Sequence, residues 1–461
     1  MRKEKWFSIR NVCALIAMAV LLGACGAGGD PGSATPSSPQ TSEEASGKEN
    51  EKIENEIKVT EEVTLSFYNN IGVPDSYYDD YIEPHVKRKF PHVTLEYMNS
   101  SAEGNAMRDL VVAQKIPDII LTTNGGMANY IEMEAIQPLD PLIKRNDLDI
   151  SIFRQDMIEA LRKYDPDGQL YALPWTYGTY ALFYNKEIFD RFGVEYPRDG
   201  MYWDDPELRS MVERLSRTED GVQYRGLEIN LGIISINPLS LPWVDAETET
   251  AAVNTDQWKN FLQTFLNFYE IKGNEKPQNA TFDSRAAFIE ERNIAMWIGN
   301  AVYPQLIGLE KEGNGFDWDI VSLPSFREAP KKSVQYQGAL FNLSSATQHP
   351  DSAMQVITHL TSKEVQIEGG TLLRYPTLND PEVQAAFGKG ESFLERKNMQ
   401  ALHINDIAPS PVLTKYDAVT RGILNEKVHA IMRGQLDINT ALREAEELMN
   451  QRIAEEKANT Q

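Results

Sequence analysis

Few of the side chains that could do chemistry stand at the spacings that catalysis requires. The sequence has no Gly-x-Ser-x-Gly elbow, no His-Glu-x-x-His pair, no Gly-rich phosphate loop and no cysteine pair spaced for metal. The six histidines are scattered along the chain: His85, His92, His349, His359, His403 and His429. We therefore predict no catalytic residue, no metal site and no cofactor. Because the 68 acidic residues leave room for a carboxylate pair of the glycosidase type, a secreted carbohydrate-active enzyme stays an alternative.

Aromatic and amide side chains suggest binding instead of reaction. Sugar sites combine aromatic faces, which stack on the apolar side of a pyranose ring, with planar amides and carboxylates that hydrogen-bond to hydroxyls. Trp175, Tyr177 and Tyr180 crowd one short stretch. An exposed tryptophan without a partner is costly. These rings are therefore expected either to cover a solute or to wedge parts of the fold together.

The start of the chain has the layout of a secretory signal. Basic residues precede an apolar run from Val12 to Leu22, which is too short to span a bilayer and ends in Leu-Gly-Ala before Cys25. This ending looks like the lipobox of bacterial lipoproteins, so we predict a signal peptide at 1–24 and lipidation of Cys25. An ordinary signal peptide with an incidental cysteine is the alternative. Cleavage would remove Cys13 and leave no cysteine pair for a disulfide.

Composition and charge bound the rest of the chain. Residues 26–60 are rich in small and polar side chains, so 25–60 is predicted to be a lipidated N-terminus followed by a disordered tether. The formal charge of −23 disfavours nucleic-acid partners, and we expect a monomer. The roughly 395 residues that follow exceed what one core usually accommodates, so two domains are expected.

Apolar periodicity indicates an α/β fold. Alternation at 63–67 and 93–97 and an apolar run at 119–121 predict three strands, with helical spacing between them. This order predicts a parallel sheet with helices on both faces, and ligands bind beyond the carboxyl ends of such strands. The loops at 68–71, 99–101 and 122–126 are therefore predicted to face a ligand. Asp165 to Gly168 predicts a hairpin turn rather than a calcium loop.

Several short stretches follow one order along the chain: DGQLYALP at 167–174, LFYNK at 182–186, AMWIG at 295–299 and FDWDI at 316–320. In this order they resemble the extracellular solute-binding proteins of ABC importers, in particular the family that includes the maltose-binding proteins. The resemblance extends from Val63 to the last helix.

The resemblance implies a two-lobed α/β fold of the periplasmic-binding-protein type II, with hinge crossovers near 174–178, 338–342 and 395–410. Lobe 1 would comprise 61–176 and about 340–400, and lobe 2 would comprise 177–339 and about 401–461. The implied function is binding of a carbohydrate, specifically an oligosaccharide, by lobe closure and delivery to ABC permease subunits. The protein would be anchored to the outer face of the cell membrane and would not be an enzyme. A non-sugar solute is the alternative within this class.

Strand-end loops and crossovers supply the ligand-binding candidates that follow from the resemblance. They are Tyr68, Asn69, Thr123, Asn124, Trp175, Tyr177, Trp243, Asn300, Tyr303, Tyr336, Gln337 and Arg374. Trp243 would either line the cleft or fill the core of the second lobe. Arg374 would admit an acidic solute if it reached the cleft, and would otherwise be a solvated loop residue. Four further tryptophans are assigned to packing: Trp203, Trp258, Trp297 and Trp318.

Overall fold

Apolar alternation and short apolar runs form the strands of two main sheets and two small ladders. The computed structural model describes residues 61–72, 75–277, 285–300 and 302–459, so the predicted signal peptide, Cys25 and the predicted tether lie outside the described residues. The strands are, in chain order, β1 (Val63–Asn69), β2 (Val93–Asn99), β3 (Ile119–Thr123), β4 (Ala172–Tyr177), β5 (Ala181–Asn185), β6 (Arg217–Glu219), β7 (Val222–Ile229), β8 (Val244–Asp245), β9 (Thr250–Ala251), β10 (Ile294–Gly299), β11 (Trp318–Ser322), β12 (Lys332–Gln335), β13 (Gly338–Leu343), β14 (Tyr375–Pro376) and β15 (Asp406–Ala408).

Helices connect most of these strands and cover the sheets. They are, in chain order, α1 (Asp75–Tyr77), α2 (Glu83–Lys89), α3 (Met107–Val112), α4 (Asn124–Glu132), α5 (Asp140–Arg145), α6 (Gln155–Arg162), α7 (Lys186–Phe192), α8 (Pro206–Leu215), α9 (Asp256–Tyr269), α10 (Arg285–Ile289), α11 (Tyr303–Lys311), α12 (Pro350–Leu360), α13 (Lys363–Thr371), α14 (Pro381–Ala385), α15 (Tyr416–Met432) and α16 (Ile438–Asn459). Within the described ranges, none of them combines the length and the apolar character that a bilayer crossing needs.

The first sheet has the strand order β14-β4-β13-β3-β1-β2. The predicted strands β1, β2 and β3 are parallel, but β13 runs antiparallel to both of its neighbours, β3 and β4. The parallel arrangement predicted from these three strands is confirmed, and the sheet as a whole is mixed. β3 and β4 end at the edge where the chain returns from the second sheet, and β13 begins there. It therefore runs in the opposite direction to both.

The second sheet has the order β11-β5-β10-β7-β6 and carries the largest buried rings. Trp297 on β10 is fully buried between Phe183 and Phe288, at ring-centroid distances of 5.5 and 6.2 Å. Trp318, Trp258 and Trp203 are at most 3% exposed. The assignment of all four tryptophans to packing is confirmed.

Two local predictions are wrong. The predicted loop at 122–126 is the end of β3 followed directly by α4, because Thr123 stays extended and its hydroxyl accepts a hydrogen bond from the Gly126 amide at 3.5 Å. The turn at 165–168 joins α6 to β4 and is not a hairpin turn. Asp165 shapes it by accepting the amides of Asp167 and Gln169 at 2.9 and 3.0 Å.

The chain passes between the sheets through short segments. It leaves the first sheet at Tyr177, enters the second at Ala181, and returns through β12 to the start of β13 at Gly338. A third segment, β15, pairs in parallel with β12. The two C-terminal helices, α15 and α16, pack on α9 beside the second sheet.

A buried charge network fixes the second sheet near its passage to the first. The Glu228 carboxylate on β7 is fully buried and pairs with Arg225 and Lys276. The Tyr269 hydroxyl on α9 donates to the same carboxylate at 3.1 Å. Because an unpaired buried charge is costly, this network holds β7 and α9 in one arrangement, and with them the loop after β7.

Candidate functional site

The ends of four neighbouring strands lie side by side in the first sheet, and we call this line of strand ends its edge. Tyr375 pairs with Tyr177, Tyr177 with Gly338, and Ala339 with Thr123. The residues that flank these strand ends form a row: Arg374 precedes β14, Gly178 follows β4, Gln337 precedes β13, and α4 begins directly after β3 at Asn124.

Hydrogen bonds hold the crossover at this row. The Gly178 amide donates to the Gln337 carbonyl at 2.9 Å, and the Gly338 amide donates to Oδ1 of the buried Asn124 at 2.8 Å. A Cβ atom at Gly338 would lie 2.0 Å from the Thr176 carbonyl oxygen, so only glycine fits there.

A recess opens beside the row, with walls from both sheets. It has a cavity volume of about 60 Å³ and is open to solvent on one side, so it is smaller than a typical small-molecule site of about 300–1,000 Å³. Its lining comes from α4, the β12–β13 crossover, the loop after β7, the segment 410–421 and Tyr164. The side chains are mainly amides, hydroxyls and rings, with four charged groups: Glu132, Lys415, Asp417 and Arg421.

The wall on the first sheet is one face of α4. Gly125, Ala128, Asn129 and Glu132 recur at three- and four-residue intervals and therefore lie on one side of the helix. The position of α4 follows from its first residue, since Asn124 is bonded to the crossover. The polar groups of this wall are thus set relative to the edge of the sheet.

The wall on the second sheet depends on a buried amide. Asn237 is fully buried, accepts the Leu241 amide at 2.8 Å and donates to the Leu241 carbonyl at 3.1 Å. This closes the loop before Trp243, whose ring is 5% exposed and lies 5.6 Å from the Arg421 guanidinium carbon. The loop is joined to the crossover because Gln335 Nε2 donates to the Asn237 carbonyl at 3.0 Å.

Burial raises the pKa values of three titratable side chains that line the recess. It raises the pKa of Tyr164 to about 12 and that of Tyr336 well above its usual value, so both hydroxyls stay protonated and can donate. Burial also raises the pKa of Asp417, although its carboxylate accepts from the amide and the hydroxyl of Thr414, both at 2.7 Å. Among the described residues, no group of three or more His, Cys, Asp or Glu side chains could hold a metal ion.

The sequence profile described as bacterial extracellular solute-binding protein matches residues 72–367, more than half of the chain. The chain belongs to the bacterial extracellular solute-binding proteins. This confirms the resemblance read from the sequence motifs.

Relatives of this solute-binding protein include an arabinooligosaccharide-binding protein of Bacillus subtilis, 28% identical over 31% of this chain and 33% of the relative. A maltotriose-binding protein of Pyrococcus abyssi is 23% identical over 64% of this chain and 63% of the relative. The chain thus spans less than two thirds of either relative.

A sugar transporter from Rhizobium etli, solved in an open conformation, has a similar fold. It has a TM-score of 0.68 at 20% identity, over 84% of this chain and 99% of the other. The predicted two-lobed α/β fold of the periplasmic-binding-protein type II is confirmed.

The solute-binding protein brings three of the predicted ligand residues into the recess: Trp243, Tyr336 and Gln337. Asn124 supports them through its bond to Gly338. Asn300 approaches the same edge from the second sheet, since a Cβ atom at Gly178 would lie 3.0 Å from its Nδ2.

Three further predicted residues are engaged within the first sheet and α4. The Tyr68 hydroxyl donates to the Asn105 carbonyl at 2.8 Å, and Asn69 Nδ2 donates to the Tyr97 hydroxyl at 3.0 Å. Thr123 caps α4. Their roles in ligand binding stay predictions.

The remaining predicted ligand residues lie in aromatic groups near the Arg374 end of the row. Trp175 is 3% exposed and packs on Phe341 at 5.1 Å. The Tyr177 hydroxyl accepts from Arg154 at 3.1 Å, and the Tyr375 hydroxyl donates to that of Tyr303 at 3.1 Å. Arg374 stacks on Tyr77 and is not a fully solvated loop residue.

Sequence reasoning missed the face of α4, Tyr164, Ser235 and the segment 410–421. The segment follows directly on the third crossing expected at 395–410, which was the one available signal for it. On the α4 face, Gly125 was interpreted as part of the loop at 122–126, and no prediction was made for Ala128, Asn129 and Glu132, although their spacing is helical.

Asp417 makes stability depend on pH. Its raised folded pKa means that the folded chain binds the proton more tightly than the unfolded chain, so its contribution is present at low pH and is lost as the pH rises through the folded pKa. We expect the free energy of unfolding of the natural chain, relative to Asp417→Asn, to decrease above the ordinary pKa of 3.8 and then to become constant. Denaturant unfolding at a series of pH values measures this difference.

Asp437→Asn is the control of opposite sign. The hydrogen bonds that Asp437 accepts from Thr440 lower its pKa, so its contribution is present above the ordinary value and is lost as the pH falls. A natural chain that gains stability relative to Asp417→Asn as the pH rises would contradict the assignment for Asp417.

Proposed function

We propose that this protein binds an oligosaccharide in the recess between its two sheets and delivers it to the permease subunits of an ABC importer. The observation that carries the proposal is a recess whose two walls both present polar side chains, with the rings of Tyr164, Trp243 and Tyr336 beside them. The names of the two relatives, for arabinooligosaccharide and maltotriose binding, support the choice of a sugar.

The recess offers the hydrogen-bonding groups that sugar hydroxyls need. The planar amides of Asn129 and Gln337 supply donors and acceptors, the side-chain oxygen of Gln335 supplies an acceptor, and the protonated hydroxyl of Tyr164 supplies a donor. Glu132 and Asp417 add acceptors. Each sugar hydroxyl both donates and accepts, so this mixture can replace its water shell.

The proposed action is closure without chemistry. A solute that touches α4 on one side and the segment 410–421 on the other favours the arrangement in which both walls contact it. The short crossovers at Gly178 and Gly338 connect the two sheets and would carry the hinge motion. No bond of the solute changes, and the closed arrangement presents both lobes to the permease.

Anchoring at the outer face of a bacterial membrane is part of the proposal and rests on the sequence. Lipidation of Cys25 after cleavage would retain the protein at the surface, because each acyl CH₂ buried in the bilayer contributes about 0.8 kcal/mol. We expect chain isolated from bacterial membranes to begin at Cys25 and to carry acyl mass, and Cys25→Ser to be released. Intact-mass spectrometry checks this. A membrane-derived chain without acyl mass would disprove the anchor.

Oligosaccharide binding is tested by thermal unfolding and calorimetry against a panel that includes arabinotriose, maltotriose and acidic trisaccharides. A ligand at 100 times its dissociation constant should stabilise the chain by about 2.7 kcal/mol. Loss of one recess hydrogen bond in Asn129→Ala should weaken the affinity roughly 2- to 10-fold. Asn439→Ala, on an exposed part of α16, is the matched control and should bind like the natural chain.

Two outcomes would contradict the proposed function. One is that no oligosaccharide of the panel stabilises the chain. The other is that a bound oligosaccharide is recovered as shorter products, which would favour an enzyme.

A further inference from the structure

Arg374 holds a guanidinium that is mostly covered by aromatic rings. Its Cζ lies 3.2 Å from the ring centroid of Tyr77, 5.5 Å from that of Trp175 and 5.6 Å from that of Tyr81. Nε is buried and has no hydrogen-bond partner, whereas the two terminal nitrogens reach solvent. Stacking therefore fixes the plane of the guanidinium and leaves its two terminal nitrogens, which we call the fork, open to a ligand.

This guanidinium has no anionic partner among the described residues. Several other covered cations do have one: Arg154 pairs with Asp156, Arg225 and Lys276 with Glu228, Lys397 with Asp317, and Lys427 with Glu444. A covered charge without a partner is costly, so a chain that retains one is expected to gain its partner from outside.

The neighbouring carboxylate does not fill this role. Glu368 contributes to the charge around Tyr77 and Tyr81, but its carboxylate lies beside His85, 3.3 Å from Nε2. It makes no ion pair with Arg374 within the described part of the chain. The fork is thus free to donate hydrogen bonds to an anion from outside the chain.

Arg374 stands at the same sheet edge as the recess. It directly precedes β14, whose Tyr375 pairs with Tyr177, and the next residue, Gly178, donates its amide to the Gln337 carbonyl in the recess wall. Neighbouring strands are about 4.8 Å apart, so the Arg374 and Gln337 backbones are roughly 10 Å apart along this edge. A solute of more than one sugar unit can reach from the recess to the fork.

We propose that the cleft takes an acidic oligosaccharide and that Arg374 binds the carboxylate of a uronic-acid unit. A planar guanidinium matches a carboxylate in a paired, two-hydrogen-bond geometry, and the stacked rings hold that geometry before the ligand arrives. This inference rests on the proposed function and adds to it the charge class of the sugar.

A carboxylate fits better than a phosphate. Arg374 supplies a single positive charge, and the four charged groups that line the recess, Glu132, Asp417, Lys415 and Arg421, offer no net positive charge. One guanidinium matches the single charge of a carboxylate but only about half of the nearly two charges of a phosphate ester. The proposal is therefore limited to uronic acids.

Calorimetric titration of the purified chain with paired ligands tests the proposal. The acidic probes are the trisaccharides of galacturonic, glucuronic and mannuronic acid, each paired with the neutral trisaccharide of the same linkage, and glucose 6-phosphate is a further probe. We expect at least one acid to bind more than 10-fold tighter than its neutral counterpart. Arg374→Gln should weaken that acid roughly 10- to 100-fold and change the neutral sugar by less than 2-fold.

Two variants separate the role of Arg374 from general effects. Arg108→Gln removes the same charge from an exposed position on α3 and should bind like the natural chain. Arg374→Lys keeps the charge but loses the fork, so its affinity for the acid should be intermediate. If Arg374→Gln does not fold, as judged by its thermal unfolding without ligand, the affinity of Arg374→Lys for the acid decides whether the proposal holds.

The outcomes distinguish this proposal from the proposed function. Neutral trisaccharides that bind as tightly as the acids, with no effect of Arg374 substitutions, would overturn the proposal and leave oligosaccharide binding intact. Preference for glucose 6-phosphate that depends on Arg374 would overturn the assignment to a carboxylate. Binding of no sugar at all would overturn both.

Discussion

The whole arrangement depends on the chain passing between two sheets within a few residues while its backbone groups remain hydrogen-bonded. The Gly338 amide meets Asn124 and the Gly178 amide meets the Gln337 carbonyl, so the two passages and the start of α4 form one bonded unit. No side chain fits at Gly338, because its Cβ atom would collide with the strand beside it. These bonds place both passages at the edge of the first sheet.

This constraint decides where polar groups gather. Strand ends leave backbone and side-chain groups without partners in the sheet, and at this edge they face a recess rather than a core. The second sheet supplies the other wall through a loop that the buried Asn237 closes. The same edge extends past Gly178 to Arg374, so hydrogen-bonding groups and one covered cation share a single line across four strands. An oligosaccharide is a molecule of that shape and polarity.

Local patterns in the sequence were sufficient to predict single strands and the burial of single side chains. Alternation at 63–67 and 93–97 predicted β1 and β2, which span Val63–Asn69 and Val93–Asn99. Trp297 was assigned to packing, and it is fully buried. Direct succession of strand, helix and strand also predicted the parallel pairing of β1, β2 and β3.

Features that depend on distant segments were not predictable in this way. The antiparallel β13 lies between β3 and β4 only because the chain has first built the second sheet. Tyr68 and Trp175 have the composition of sugar-binding residues, but their partners, Asn105 and Phe341, come from other elements. The recess wall at 410–421 depends on how α15 packs on α9, and no pattern within the segment encodes that contact. Arg374 shows the same limit, since its value to a ligand depends on Tyr77 and on the absence of an ion pair, neither of which its own neighbours in sequence reveal.

The central claim is that a solute is held between walls that belong to different sheets. Hydrogen–deuterium exchange of the backbone amides, with and without the sugar that stabilises the chain most, tests it directly. The account predicts that the sugar slows exchange both in α4, at 125–132, and in the segment 410–421. Slower exchange confined to one of these walls, or to neither, would contradict it.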